Sequence, residues 1–216
     1  MVNPMIKPKR GFTLVELLVS VVLMLILVGA VVEVFRHTSN AVSQAESTME
    51  VYQNARAIFE LISRDLASVQ VGNGQNLILR QVANNIDFLE FHTITSWLRN
   101  GIEESGLARI AYRAQRKNNR WTLYRLVTPQ GDPGPLGMDV LGQYLATDGG
   151  GNPSIRVEYF DTGVSRFKAP DASHPNFTFD ENNLPSALRI SMLVTDRHGR
   201  ITRPFSRVIS VATGVN

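Results

Sequence analysis

Residues 9–35 read KRGFTLVELLVSVVLMLILVGAVVEVF, and the rest of the chain is best understood outward from this stretch. From Phe12 to Phe35 only Glu16 and Glu33 carry charge. As a helix those 24 residues would rise about 36 Å, enough to cross a hydrocarbon core of about 30 Å. Lys7, Lys9 and Arg10 precede the run, and residues 1–11 contain no acid. A basic flank stays in the cytoplasm, so the bulk of the chain is expected outside the inner membrane. The 216 residues include 22 basic and 19 acidic side chains, an excess of +3 that lies wholly within residues 1–11. The apparent basicity is therefore a targeting feature, and the balanced remainder suits contact with other proteins better than global steering to nucleic acid.

Three readings compete for the apolar run: a removable secretory signal, an ordinary anchor, or an assembly helix behind a processed leader. Val28-Gly29-Ala30 offers a small-residue cleavage site for the first. Glu16 argues against the first two, because an acid inside the run is costly and neither a signal core nor a plain anchor has a use for it. The helical pattern also continues far beyond the run, which a discarded peptide does not require.

Lys9-Arg10-Gly11-Phe12-Thr13-Leu14-Val15-Glu16 resembles the processing signature of type IV pilins and type II secretion pseudopilins. The resemblance implies that a prepilin peptidase cuts after Gly11 and methylates the new terminal amine of Phe12. It also implies that Glu16 is an assembly residue, receiving the amine of a neighbouring subunit as a filament grows. Glu33 reads as a solvated residue at the outer interface. Many major pilins place a proline there, and its absence favours a minor pilin or pseudopilin.

No glycine or proline occurs between Ala30 and Val71. Val42, Ala45, Met49, Tyr52, Ala55, Phe59, Ile62, Leu66 and Val69 recur at steps of three or four, predicting an apolar stripe. The other faces take Arg36, Glu46, Glu50, Arg56, Glu60, Arg64 and Asp65. A coiled-coil partner or the chain's own sheet would cover the stripe, and the small Ala45 and Ala55 favour the sheet. Gly72-Asn73-Gly74 reads as the helix stop, giving a helix of about 90 Å over 12–71.

Strands are expected over 86–92, 108–115, 121–127, 155–160, 188–195 and 205–212. Asn118-Asn119 and Asp196-Arg197-His198-Gly199 read as turns, and 129–153 and 168–186 as long surface loops. The expected fold is α+β and pilin-like: a long N-terminal helix, half membrane-spanning and half amphipathic, packed on an antiparallel β-sheet head. Its parts are a leader over 1–11, a transmembrane and assembly helix over 12–35, an amphipathic continuation over 36–71 and a β-rich periplasmic head over 72–216.

Within that superfamily, Arg64-Asp65-Leu66, Leu184-Pro185-Ser186-Ala187-Leu188 and Gly199-Arg200-Ile201 with Phe205 resemble the J-type minor pseudopilin. A tryptophan-asparagine-proline segment expected of that type is absent, so a PilW-like minor pilin stays open. The J-type resemblance implies a structural subunit of a type II secretion pseudopilus and its tip complex. The alternative is a minor pilin of a type IV pilus serving priming, motility or DNA uptake. Implied partners are the prepilin peptidase, other minor and major pseudopilins or pilins (the I- and K-type for a J-like chain) and the inner membrane. The location implied is single-pass in the inner membrane, with the head in the periplasm and the chain built into a filament.

No enzyme, cofactor or metal is expected. With no cysteine the chain has no disulfide, zinc-thiolate site, cysteine-ligated cluster or thiol chemistry. His37, His92, His174 and His198 are scattered, and Gly149-Gly150-Gly151 lacks the lysine of a phosphate loop. Asp171, Asn176, Asp180 and Glu181 supply oxygen ligands suited to calcium but miss the regular loop spacing, so a solvated loop is expected. Arg109, Arg113, Arg116, Lys117, Arg120 and Arg125, interleaved with Tyr112, Trp121 and Tyr124, form the one pattern compatible with nucleic acid. A solvated or subunit-contacting sheet face is the expected reading there, and nucleic acid is not the expected partner.

Overall fold

A computed structural model describes residues 12–211 except 73, 118, 119, 149 and 172. The leader over 1–11, the Asn118-Asn119 turn and Gly149 thus lie outside the described residues. The chain divides into two units, residues 1–46 and 47–216. One helix, α1 (Leu14–Leu66), contributes to both. In the first unit α1 buries nothing among the described residues: every side chain from Phe12 to Val42 is exposed. Its backbone is satisfied internally, as a segment in lipid must be.

The second unit is a helix on a sheet. Among the described residues eleven strands follow α1: β1 (Val69–Gln70), β2 (Leu77–Arg80), β3 (Asp87–Arg99), β4 (Ile102–Lys117), β5 (Arg120–Pro129), β6 (Met138–Leu145), β7 (Ile155–Asp161), β8 (Arg166–Lys168), β9 (Asn176–Phe179), β10 (Ala187–Thr195) and β11 (Thr202–Ser210). Their order is β8-β7-β10-β6-β5-β4-β3-β2-β9, with β1 added on β3 and β11 on β10. Neighbouring strands pair antiparallel throughout. Leu188, Ile190, Met192 and Val194 of β10 are buried while the residues between them are not, as the alternation of that segment predicts. Tyr159 of β7 meets Phe177 and Phe179 of β9 at 4.9 Å between ring centroids, so strands near the two ends of the order share one core.

The second half of the stripe that the periodicity predicts, Ala55, Phe59, Ile62 and Leu66 with Val69 beyond the helix, is buried, but its first half is not. Ser47, Val51, Ala55, Ile58, Phe59, Ile62, Asp65 and Leu66 are buried, whereas Val42, Ala45, Met49 and Tyr52 are exposed. Two contacts select this face. The Arg200 guanidinium donates to Ser47 Oγ at 2.9 Å. Gly142 of β6 has no Cβ because one would collide with Ile58 Cδ1, so only glycine lets the helix lie this close.

Asp65 sits in the core, 4% exposed, rather than on the solvent face. Its Oδ2 accepts from Tyr112 Oη at 2.6 Å and Arg125 Nε at 2.7 Å, and its Oδ1 accepts from Arg125 Nη2 at 3.0 Å. Arg125 also donates to Thr95 Oγ1 at 3.2 Å. Burial, and then the charge of Asp65, push the Tyr112 phenol well above its ordinary range, which keeps it a neutral donor. This network ties the last turn of α1 to β3, β4 and β5.

The helix ends at Leu66, earlier than the predicted stop. Ser68 Oγ lies 2.6 Å from Thr93 Oγ1, which donates to the Ser68 carbonyl at 2.9 Å, and β1 then pairs with β3. The Gly72 region instead turns the chain, with Gly72 and Gln75 exchanging main-chain bonds of 3.0 and 2.9 Å. The expected loops also contain strands: β6 falls within 129–153, and β9 within 168–186, where it pairs with β2. β3 and β4 are far longer than predicted because Asn100 and Gly101, with φ of 52° and 81°, form the two-residue turn between Arg99 and Ile102.

Asp196 fixes the turn from β10 to β11. Its Oδ1 accepts the main-chain N–H of Arg200 at 2.6 Å and of Ile201 at 2.9 Å. Burial pushes its pKa up, but the main-chain N–H groups of Ile201, Arg200 and His198 outweigh that and hold it below the usual value.

Asp65→Ala is expected to destabilise the folded chain by about 3–5 kcal/mol in denaturant unfolding, because Arg125 is left buried without its acid. Asp65→Leu with Arg125→Met should recover most of that loss. Gly142→Ala should cost about 1–3 kcal/mol by overpacking, and Ile58→Val in the same chain should relieve part of it. The carboxylate of Asp196 contributes stability above its unfolded pKa of about 3.9, and that contribution is lost as pH falls through the lower folded value. The stability gap between wild type and Asp196→Asn should therefore be constant from neutral pH to about 5 and shrink below about 4.

Candidate assembly site

The leading end of α1 is a closed hydrogen-bonded unit. Thr13 Oγ1 accepts the main-chain N–H of Glu16 at 3.3 Å. In return Glu16 Oε2 accepts the Thr13 main-chain N–H at 3.1 Å and its hydroxyl at 3.1 Å. This is the reciprocal capping box, which satisfies N–H groups that no turn of helix can reach and sets a negative charge at the positive end of the helix dipole. Leu17 N–H then bonds the Thr13 carbonyl at 3.2 Å, and Ser20 Oγ bonds the Glu16 carbonyl at 2.7 Å.

Of the residues singled out from sequence, Gly11 lies outside the described residues. Phe12 is described and exposed, and Glu16 is four positions on, folded back on Thr13. Both carboxylate bonds fall on Oε2. The capping role is one that the assembly reading of Glu16 passes over, although its signal, a threonine three residues before a glutamate at the head of an apolar run, is present in the sequence. Glu33 is exposed, with Oε1 3.0 Å from His37 Nε2 one turn on.

The basic, aromatic hairpin does not present a stacking face. Tyr112 and Trp121 lie on the core side of β4 and β5, and Tyr124 is buried on the other side with Ala111 and Leu126. Arg113 chelates Asp87 at 2.7 and 3.1 Å, and Arg109 pairs with Glu90 at 3.2 Å. Arg125 is consumed by Asp65. Single-stranded nucleic acid needs stacking platforms, and this hairpin has buried its rings and paired Arg109, Arg113 and Arg125 with its own acids.

The remaining candidate ligands serve turns and stacking. Asp171 Oδ1 accepts the N–H groups of Ser173 and His174 at 2.8 Å each, and Asp180 Oδ1 accepts that of Asn182 at 2.9 Å. Asp148 Oδ1 holds Gly150 and Asn152 in the same way at 2.9 and 2.8 Å. His174 stacks on Phe177, and burial, followed by the charge of Arg109, lowers the pKa of His92. Among the described residues no group of three or more histidines, aspartates or glutamates stands where it could hold a metal ion.

Residues 6–32 match the family model of the prokaryotic N-terminal methylation motif. No curated protein matches the chain. The motif implies processing by a peptidase of the prepilin class. Among the described residues α1 is the one helix long and apolar enough to cross a membrane, consistent with a single-pass inner-membrane protein. A methylation motif at the head of a membrane-length helix, whose distal turns pack on an antiparallel sheet, makes this chain a pilin- or pseudopilin-like protein.

Proposed function

We propose that the chain is a minor pseudopilin of a type II secretion system, a structural subunit of the periplasmic pseudopilus and its tip complex. The observation that carries the reading is the apolar helix from Leu14 to Phe35, which its own chain leaves uncovered and which holds one acid at its leading end. Lipid covers such a helix before assembly, and the apolar helices of neighbouring subunits cover it afterwards. The resemblance at Arg64-Asp65-Leu66 supports the J-type assignment, since Asp65 anchors the helix end in the head. The I- and K-type minor pseudopilins are then the partners, and the head lies in the periplasm.

In this mechanism cleavage after Gly11 frees the Phe12 amine, which is methylated and stays cationic. A carboxylate in low dielectric needs a cation. Thr13 occupies Oε2 of Glu16, which leaves Oε1 to receive the amine of an incoming or preceding subunit. Register along the filament is thereby set by one charge pair, while apolar packing supplies the bulk of the association. The closed Thr13–Glu16 unit holds the carboxylate at a fixed height on the helix before the partner arrives.

Glu16→Gln is expected to leave membrane insertion unchanged, since the amide can still cap the helix. It should lower recovery of the chain in sheared or cross-linked filament fractions by about tenfold, the loss of about 1.4 kcal/mol per contact. Unchanged recovery would contradict the assembly role. Deletion of the chain should abolish export of folded proteins while leaving surface piliation and DNA uptake intact. Loss of piliation or DNA uptake with export intact would assign it instead to a type IV pilus.

A further inference from the structure

The head leaves a long strand edge open. β8 and β9, which end the strand order, are three and four residues long, whereas β11, added outside β10, has nine. Shortness protects a sheet edge from stray pairing, and β11 lacks that protection. Main-chain bonds show which way its groups point. The Ile201 carbonyl accepts from the Asp196 N–H at 2.9 Å and the Val211 N–H donates to the Ser186 carbonyl at 3.0 Å, so odd-numbered residues bond toward β10 at both ends of the strand. The register from Thr202 to Ser210 contains no bulge. Strand alternation then turns the N–H and carbonyl of Ser206, Val208 and Ser210 away from β10. Among the described residues no strand pairs with that side, and no main-chain carbonyl accepts those three N–H groups.

Two features of the side chains agree. Pro204 occupies an outward register position, where its missing N–H costs the β10 ladder nothing, as on other edge strands. Arg189, Ser191 and Leu193 of β10 lie opposite Val208, Ser206 and Pro204 on one face and are half-buried. By contrast Ser206, Arg207 and Val208 are exposed in succession, and Val208 leaves 54% of its surface to solvent.

The edge also carries charge of one sign. β11 contains Arg203 and Arg207 and no acid. They stand opposite the buried Val194 and Ile190 of β10, so both project from one face, four positions apart. Between them Phe205 meets the Tyr52 ring at 5.3 Å between centroids, which gives that face an apolar centre. Neighbouring acids are already bound: Glu60, which feels the charge of Arg207, by Arg56 at 2.7 Å, and Glu158 by Arg156 at 3.1 Å and Arg189 at 3.5 Å. A second β11 would bring like charges together, whereas an added strand bearing acids would satisfy both the arginines and the open main chain. We propose that the β11 edge from Ser206 to Ser210 binds an extended acidic segment of a partner protein as an added strand, with Arg203 and Arg207 selecting carboxylates opposite them. The proposal does not rest on the assembly reading above.

Amide hydrogen exchange of the full ¹⁵N-labelled chain in detergent reads this edge directly. In the free chain the N–H groups of Phe205, Arg207 and Ile209 should exchange slowly and those of Ser206, Val208 and Ser210 fast. The probe is an acetylated, amidated octapeptide of threonine and valine with glutamate as its fourth and eighth residues, and its counterpart carries lysine at both. The glutamate peptide should slow the three outward amides saturably and leave the inward ones unchanged. Arg203→Gln with Arg207→Gln should weaken that protection about tenfold. Val208→Pro removes an outward N–H and no bond to β10, so it should keep the inward amides slow and abolish protection of Ser206 and Ser210. The double arginine variant alters no main-chain group and tests the same edge should the proline loosen the strand. Slow outward amides in the dilute free chain, no saturable protection up to about 10 mM peptide, or equal protection by the lysine peptide overturns the proposal. Protection that rises with the concentration of the chain alone would make a second copy the occupant and overturn it too.

Discussion

The structure depends on one constraint: a single helix has to be stable in two solvents. Between Leu14 and Phe35 its side chains are apolar except for Glu16, Ser20 and Glu33, and all are uncovered; only the internal hydrogen bonding of a helix makes such a segment tolerable in lipid. From Ser47 onward the same helix buries a face against a sheet. No proline or glycine interrupts it after Gly29, so the two regimes belong to one helix. The capping box at Thr13 and Glu16 closes its leading end, and Asp65 fastens its trailing end.

That trailing fastening explains why a charged pair occupies the core. Apolar side chains alone can hold a helix on a sheet but tolerate small slips along and around it. Asp65 accepts three bonds from groups on two different strands, and any slip of the helix would leave a buried acid and a buried guanidinium apart. Gly142 acts at the opposite flank by allowing close approach at Ile58. Together they settle which face of the helix is inside, and therefore which face is left for neighbouring molecules.

Much of this was legible in the sequence, for identifiable reasons. The apolar run, the absence of helix breakers and the alternation in segments such as Leu188–Thr195 each express one physical period strongly enough to read. Of the buried stripe only Ala55, Phe59, Ile62 and Leu66 were legible, since it also includes Ser47 and Asp65, and the partners that pay for burying them, Arg200 and Arg125, are distant in sequence. β6 and β9 are hidden among glycines and prolines because pairing with strands already formed, rather than their own pattern, makes them extended. The Asn100-Gly101 turn and the Thr13–Glu16 cap carry recognisable local signals that a reading focused on the membrane run passes over.

The central claim is that this helix is released by a prepilin peptidase and then works as an assembly element. Intact-mass and N-terminal fragment spectrometry of the chain purified from its native membrane tests it most directly. The account predicts a mature protein that begins at Phe12 and carries one methyl group on the new amine. A chain that retains Met1 or Val2, or one that begins at Val31 after a cut following Ala30, would contradict it.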